Sequence, residues 1–200
     1  GCILYEGDSI ITHAGMRQEP PADCRLQVIY QDRHIRVFNK PAPIPVHPSG
    51  RYFQNSMTEV LREMFPREVP RPVHRLDATT TGLIVFALSR QAAGFILKEF
   101  KGHRIQKEYL ALVKGKPEKK QFTLTAPIGV VAGAKRGVGE GILKPQTAST
   151  RVEWLASTDT HSILKVTPLS GRTNQIRVHL SSQGLPIIND EVYGEGDGES

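Results

Sequence analysis

The 200-residue chain is poor in cysteine: Cys2 and Cys24 stand alone and make no CxxC or Cys/His spacing. That excludes a zinc module of the usual ligand spacing and argues against a disulfide framework. Long apolar runs are missing too. The longest, residues 82–88, has the length of a strand, far from the about 18 residues of a spanning helix, so no membrane segment is expected. The N-terminus lacks a charged, then apolar, then small-residue order, which excludes a visible secretory signal and points to an intracellular protein. The first residue is Gly1 rather than Met, which leaves room for an upstream targeting segment. There is no internal repeat and no low-complexity tract. The glycines fit neither GxxxxGK(S/T) nor GxGxxG, no GxSxG occurs, and His47, His74, His103, His161 and His179 show no HxxxH or HExxH spacing. Phosphate loops, serine hydrolases and metal sites of these patterns are therefore not expected.

What is present is charge of one sign, unevenly placed. The net +6 and pI of about 9.4 hide a net +2 over residues 1–100, +9 over 101–189 and −5 over 190–200. A +9 stretch favours a polyanionic partner, although a solvated basic face has the same composition. With 23% charged residues and 22.2 kDa, the chain fits one domain with a short appendage. The breaker cluster Glu19, Pro20, Pro21, Ala22 and Asp23 sets the boundary, an appendage at 1–22 and a main domain at 23–200.

Residues 26–30 and 35–38 read as two strands around a polar turn. Four prolines within 40–48 demand an extended, ordered loop. Helical spacing at Met57, Val60, Leu61, Met64 and Phe65 predicts a helix with Asn55 or Ser56 as cap. Residues 82–88 read as a central strand, 90–100 as a helix with Phe95, Ile96 and Phe100 inward, and 109–113 as a strand. The basic, glycine-rich stretch 133–141 reads as a hairpin tip. Residues 150–155 and 162–166 are β-rich, and a helix is expected from Arg172 to Ser182. This order predicts an α+β fold with a mixed, mostly antiparallel sheet flanked by helices.

Three segments concentrate reactive side chains. The first is His74, Arg75, Leu76 and Asp77, leading through Thr79, Thr80 and Thr81 to Gly82. A carboxylate on a loop held by a rigid strand is a common catalytic placement, and an aspartate capping a turn looks the same. The second is Gln106, Lys107, Glu108 and Tyr109, whose ring can face a planar base or simply pack in the core. The third runs from Ser170 and Gly171 through Arg172, Asn174, Arg177 and His179. Its loop amides, helix N-terminus and Arg172 suggest an anion site, with two solvated arginines as the plain alternative.

Taken together, HRLD at 74–77 with Thr80, Thr81 and Gly82, QKEY at 106–109, and GRTNQIRVH at 171–179 followed by residues 184–190 and Tyr193-Gly194 resemble the motifs of RluA-type pseudouridine synthases. Residues 7–21, Lys40-Pro41, 44–51 and Asn55-Ser56 are similar to the eukaryotic tRNA-modifying branch, and 1–22 to the end of an S4-like RNA-binding appendage. The resemblance implies the pseudouridine synthase fold and conversion of a uridine to pseudouridine, in tRNA first and rRNA second, by a monomer without metal or organic cofactor. It implies Asp77 as the catalytic carboxylate, Arg177 as the cation that keeps it charged, and Tyr109 stacking on the target base. His74, Arg75, Lys107, Arg172, Asn174, Lys135 and Arg136 would bind the RNA. The sequence departs from the family at Thr81, where Ser is usual, at Asn174, where His is usual, and after Gly194, where members continue with a further strand and helix region. An RNA-binding paralogue without turnover is the alternative function.

Overall fold

Alternation of covered and uncovered side chains is clearest at residues 35–40, and it builds the middle of the first sheet. The structure, a computed structural model, describes residues 18–194 and divides into two compact units, Gly1–Leu97 and Lys98–Ser200. Of the expected appendage at 1–22, residues 1–17 lie outside the described residues.

In the first unit, β1 (Gln27–Gln31) and β2 (Ile35–Lys40) join through a turn in which Asp32 Oδ1 accepts the His34 and Ile35 amides at 2.7 and 2.8 Å. The short carboxylate replaces a backbone acceptor, which is why Asp suits this turn. Residues 40–48 are extended, as their prolines require. The carbonyls of Pro45 and Val46 accept from Met57 and Thr58, the first amides of α1 (Met57–Met64). This loop does the capping expected of Asn55 or Ser56; the Ser56 hydroxyl instead donates to Phe53 O. β3 (Gly82–Ala87) pairs with β2, giving the antiparallel order β1-β2-β3. The sequence predicts β3 as central, but it ends that order. Residues 71–73 close its outer edge, Val73 donating to Val85 O and Ala87 to Arg71 O. Pro70 and Pro72 keep this segment from becoming a fourth regular strand, because proline brings no N–H to a ladder.

Phe38, Ile84 and Phe86 from the sheet pack with Ile44, Val46, Met57 and Leu61, and Phe38 meets Phe86 edge to face at 5.5 Å. Period-2 alternation puts Arg36 and Lys40 on the same covered face as Phe38. Arg36 is accommodated by a two-bonded pair with Glu68 at 2.8 and 3.1 Å and by the Phe65 ring 3.9 Å below its guanidinium. Lys40 has a different solution, described with the site. α2 (Arg90–Lys101) runs through the division between the units and contains no fully buried residue. Phe95, expected inward, is 67% exposed. The covered stripe is Ala92, Ala93, Ile96, Glu99 and Phe100, which leaves Phe95 outside it.

The second unit contains β4 (Tyr109–Lys114), β5 (Gln121–Leu124), β6 (Ile128–Ala132), β7 (Lys135–Gly137), β8 (Leu143–Gln146), β9 (Thr150–Ser157), β10 (His161–Pro168) and α3 (Gln175–Ser181). The strands form two sheets, β4-β10-β9-β5 and β7-β6-β8. Among the described residues every strand pairing is antiparallel, so the expected mixed sheet is three antiparallel ones. The larger sheet buries Ala111, Val113, Val152, Leu164 and Val166 with Leu180 of α3. α3 starts three residues later than expected, because Asn174 adopts the left-handed conformation (φ 56°). Gln175 then caps the loop from inside the helix, its Oε1 accepting from the Arg172 amide and the Ser170 hydroxyl. At this helix start the Arg172 amide is already satisfied, and Arg172 Nε donates to Thr147 O.

His179 is fully buried, with Nδ1 2.8 Å from Thr150 Oγ1 and Nε2 2.9 Å from Ala126 O. A carbonyl only accepts, so Nε2 carries the proton and Nδ1 accepts from the hydroxyl. Burial lowers its pKa from 6.5, so the unfolded chain binds the proton first. Stability is therefore complete above about pH 6.5 and is lost as pH falls below it. The melting temperature should drop between pH 7 and 5, and His179→Gln should flatten that part of the profile. An unchanged slope in the variant would assign the acid sensitivity to other groups.

Candidate active site

Asp77 lies, half-buried, in the turn that precedes β3. The Thr80 amide donates to Asp77 O at 3.0 Å and closes the turn, and Ala78 O accepts from the Ile44 amide. His74 anchors the entry: its Nε2 accepts the Val85 amide at 3.1 Å, so this ring faces the strand. Gly82 anchors the exit at φ 122°, a conformation side-chain-bearing residues rarely adopt. Arg75 points outward and is exposed.

Lys40 holds the turn from beneath. Its side chain is fully buried, and Nζ donates to Pro41 O, Ala78 O and Thr80 O at 2.9, 3.0 and 2.8 Å. Three carbonyls satisfy the three N–H bonds of an ammonium, and two of them, one and three residues on, follow Asp77 in sequence. Burial depresses the Lys40 pKa to about 8, while the negative charge of Asp77 acts the other way. A buried ammonium beside this carboxylate supplies positive charge as well as shape. Sequence reading did not single out Lys40 for a role; the available signal was its phase, two residues from Phe38 on the core side of β2.

The second and third segments converge within the second unit. Tyr109 begins β4 opposite Val166, half-buried, and packs against the core cluster that also receives Ile176 of α3. Lys107, just ahead of it, has a half-buried ammonium whose pKa burial lowers. Its Nζ lies 3.7 Å from where a Cβ on Gly171 would stand. Lys107, Arg151, Thr167, Ser170 and Gly171 line a cleft of about 450 Å³, which brings Lys107 of the second segment to one concavity with Ser170 and Gly171 of the third.

Arg177 is fixed on several sides. Nε and Nη2 donate to the two oxygens of Asp190, both at 2.7 Å, and Nη1 donates to Asn174 Oδ1 at 3.2 Å. The guanidinium carbon lies 4.9 Å from the centre of the Tyr193 ring. Asp190 is almost wholly buried, which by itself raises a carboxyl pKa. The Arg177 fork and the Tyr193 and Val192 amides outweigh that and lower it. Asn174 Nδ2 donates to the Tyr193 hydroxyl at 3.0 Å, so both polar atoms of this amide are engaged inside the cluster. Lys135 and Arg136 sit on β7 of the expected basic hairpin, which turns at Gly133. Among the described residues no three or more His, Cys, Asp or Glu side chains gather, and no helix is long and apolar enough to cross a membrane.

Comparison with known proteins adds an independent line. Residues 34–182 match a family described as RNA pseudouridylate synthase. The chain is 37% identical to a mitochondrial tRNA pseudouridine(32) synthase of Saccharomyces cerevisiae, over 96% of this chain and 42% of that protein. It is 31% identical to the human pseudouridylate synthase RPUSD2, over 96% of this chain and 35% of that protein. The chain thus spans less than half the length of these curated relatives. Among solved structures, human RNA pseudouridylate synthase domain containing 1 superposes with a TM-score of 0.76 at 30% identity, covering 90% of this chain and 74% of that one.

Proposed function

Since the chain belongs to the RNA pseudouridylate synthase family, we propose that it converts a specific uridine in RNA to pseudouridine, with Asp77 as the catalytic carboxylate. The bond between ribose C1′ and uracil N1 breaks, the base turns, C1′ joins C5, the C5 proton leaves to solvent, and N1 takes up a proton in exchange. The uridine is taken out of its stack, at a cost of a few kcal/mol that is least in an unpaired loop. The observation that carries this reading is the Lys40-stapled turn, which holds Asp77 between His74 and Gly82 with buried positive charge alongside. An ionised carboxylate is what attack on the sugar, attack on the base, or removal of the 2′ proton all require. Tyr109 is assigned to stack on the target base, and Arg177 to serve as the catalytic cation. tRNA is the substrate class favoured, since the yeast mitochondrial relative is described as acting on tRNA.

Arg75, Lys107, Arg172, Lys135 and Arg136 are assigned to the RNA backbone. His74 and Asn174 serve the same RNA indirectly, His74 by fixing the catalytic turn and Asn174 by holding Arg177. Contacts of this kind release counterions, so affinity should fall steeply with salt. Replacing Lys135 and Arg136 together by Gln should reduce the slope of log affinity against log salt by about 1.4. A slope equal to the parent's removes the hairpin from the interface. The activity itself is tested by tritium release from tRNA labelled at C5 of uracil.

A further inference from the structure

We propose that Tyr193 and Asp190 are positioning residues for Arg177, and that the Tyr193 hydroxyl ties the orientation of that guanidinium to the seating of the basic β6–β7 hairpin. The inference rests on the proposed role of Arg177 and adds a control on it. A fork-to-fork pair fixes the plane of a guanidinium, provided the carboxylate is itself fixed. Asp190 is: Oδ1 also accepts the Val192 and Tyr193 amides at 3.0 and 3.1 Å, and the Gly194 amide closes the turn on Asp190 O at 2.8 Å. The same turn therefore delivers the Tyr193 ring to the guanidinium, where the face of the ring favours the cation.

The hydroxyl then reaches two different elements. It accepts the Asn174 amide at 3.0 Å, and Asn174 accepts from Arg177, so Arg177, Asn174 and Tyr193 close a ring of contacts. It also accepts the backbone amide of Arg136 at 2.9 Å, across 57 residues of sequence. β7 is the end strand of its sheet, and an end strand carries outward amides that need an acceptor. Tyr193 is that acceptor, and it is buried among Ile128, Ala148 and Val178. One oxygen thus joins the hairpin backbone at Arg136, whose strand also presents Lys135, to the residue that orients Arg177. RNA engaged by the hairpin stabilises the seated position of β7, and through Tyr193 the orientation of Arg177. Asn174 suits this junction because its amide offers one donor and one acceptor at once.

Tyr193→Phe removes the oxygen and keeps the ring, so it isolates the junction from packing. Two measurements on the full chain read it. Single-turnover tritium release at saturating tRNA should fall about tenfold, with tRNA affinity close to the parent's and a lower melting temperature, because the Arg136 and Asn174 donors lose their acceptor. That loss should not add to the loss caused by Lys135→Gln with Arg136→Gln. An unaltered rate, an additive loss, or a loss that disappears at temperatures where the variant is fully folded would overturn the proposal. The second readout needs no activity: exchange of the Arg177 Nε–H followed by NMR. It should speed up about tenfold in Tyr193→Phe and in Asp190→Asn, and equal exchange in parent and Tyr193→Phe also overturns the junction. A parent chain that releases no tritium sinks the functional reading instead, and the exchange measurement still decides whether Tyr193 positions Arg177.

Discussion

Asp77→Asn is expected to abolish pseudouridine formation, by more than about a thousandfold or ~4 kcal/mol of transition-state stabilisation, while leaving RNA affinity within about threefold. Asparagine keeps the size and the acceptor oxygen but loses the charge and the basicity that every proposed route needs. The turn should survive the change, because it is held by backbone and Lys40 bonds in which the Asp77 carboxylate has no part: Thr80 N to Asp77 O, Ile44 N to Ala78 O, and Lys40 to Ala78 O and Thr80 O. One secondary effect follows from the charge. The negative charge of Asp77 opposes the burial that lowers the Lys40 pKa, so in the variant Lys40 should lose its proton at still lower pH. Tritium release with and without the substitution is the deciding measurement. A normal rate in Asp77→Asn would move the chemistry to another residue. No release from the parent chain, with salt-sensitive tRNA binding intact, would favour a binding paralogue.

Legibility followed the range of the interactions involved. β2, α1, β4, β9 and β10 were readable because alternation and helical spacing are properties of the segment itself, and β1 because Val28, Ile29 and Tyr30 are strand-forming residues beside a polar turn. β8 was not: Leu143, Lys144, Pro145 and Gln146 carry no alternation, all four are exposed, and the pairing is set by β6. The start of α3 was hidden by a single left-handed residue, Asn174, and the orientation of α2 by an apolar residue, Phe95, on its uncovered side. At the site, the reactive types and their motifs stood out, whereas the long-range contacts that aim them did not. Lys40 reaches carbonyls 38 and 40 residues away, Asp190 meets Arg177 at a separation of 13, and Tyr193 meets Arg136 at 57. A lysine in sequence reads as surface, and only the fold gives it three carbonyls in place of water.

Lys40→Met should separate activity from stability more sharply than any other substitution. Met matches the length of the stem, so the core around Phe38 keeps its packing. Removing the ammonium relieves the cost of burying a charge, and it strands Pro41 O and Thr80 O, at about 1–3 kcal/mol for each unsatisfied acceptor. These effects oppose one another, so the change in melting temperature should be modest. The rate should not be spared: the turn loses its central tie and Asp77 its buried positive neighbour, and a loss of about a hundredfold in kcat, or ~2.7 kcal/mol, is expected at pH 7. The pH behaviour gives the test its direction. Lys40 titrates at about 8 in the fold against 10.5 for an ordinary lysine. Between those values the unfolded chain holds the extra proton, so stability rises as pH increases from about 8 to 10.5. Activity runs the opposite way, because a neutral amine has two N–H bonds for three carbonyls and no charge for Asp77. The parent should therefore lose activity through about pH 8 while gaining stability, and Lys40→Met should show neither trend. An alkaline fall in rate that persists unchanged in the variant would belong to some other group and would reduce Lys40 to a packing residue.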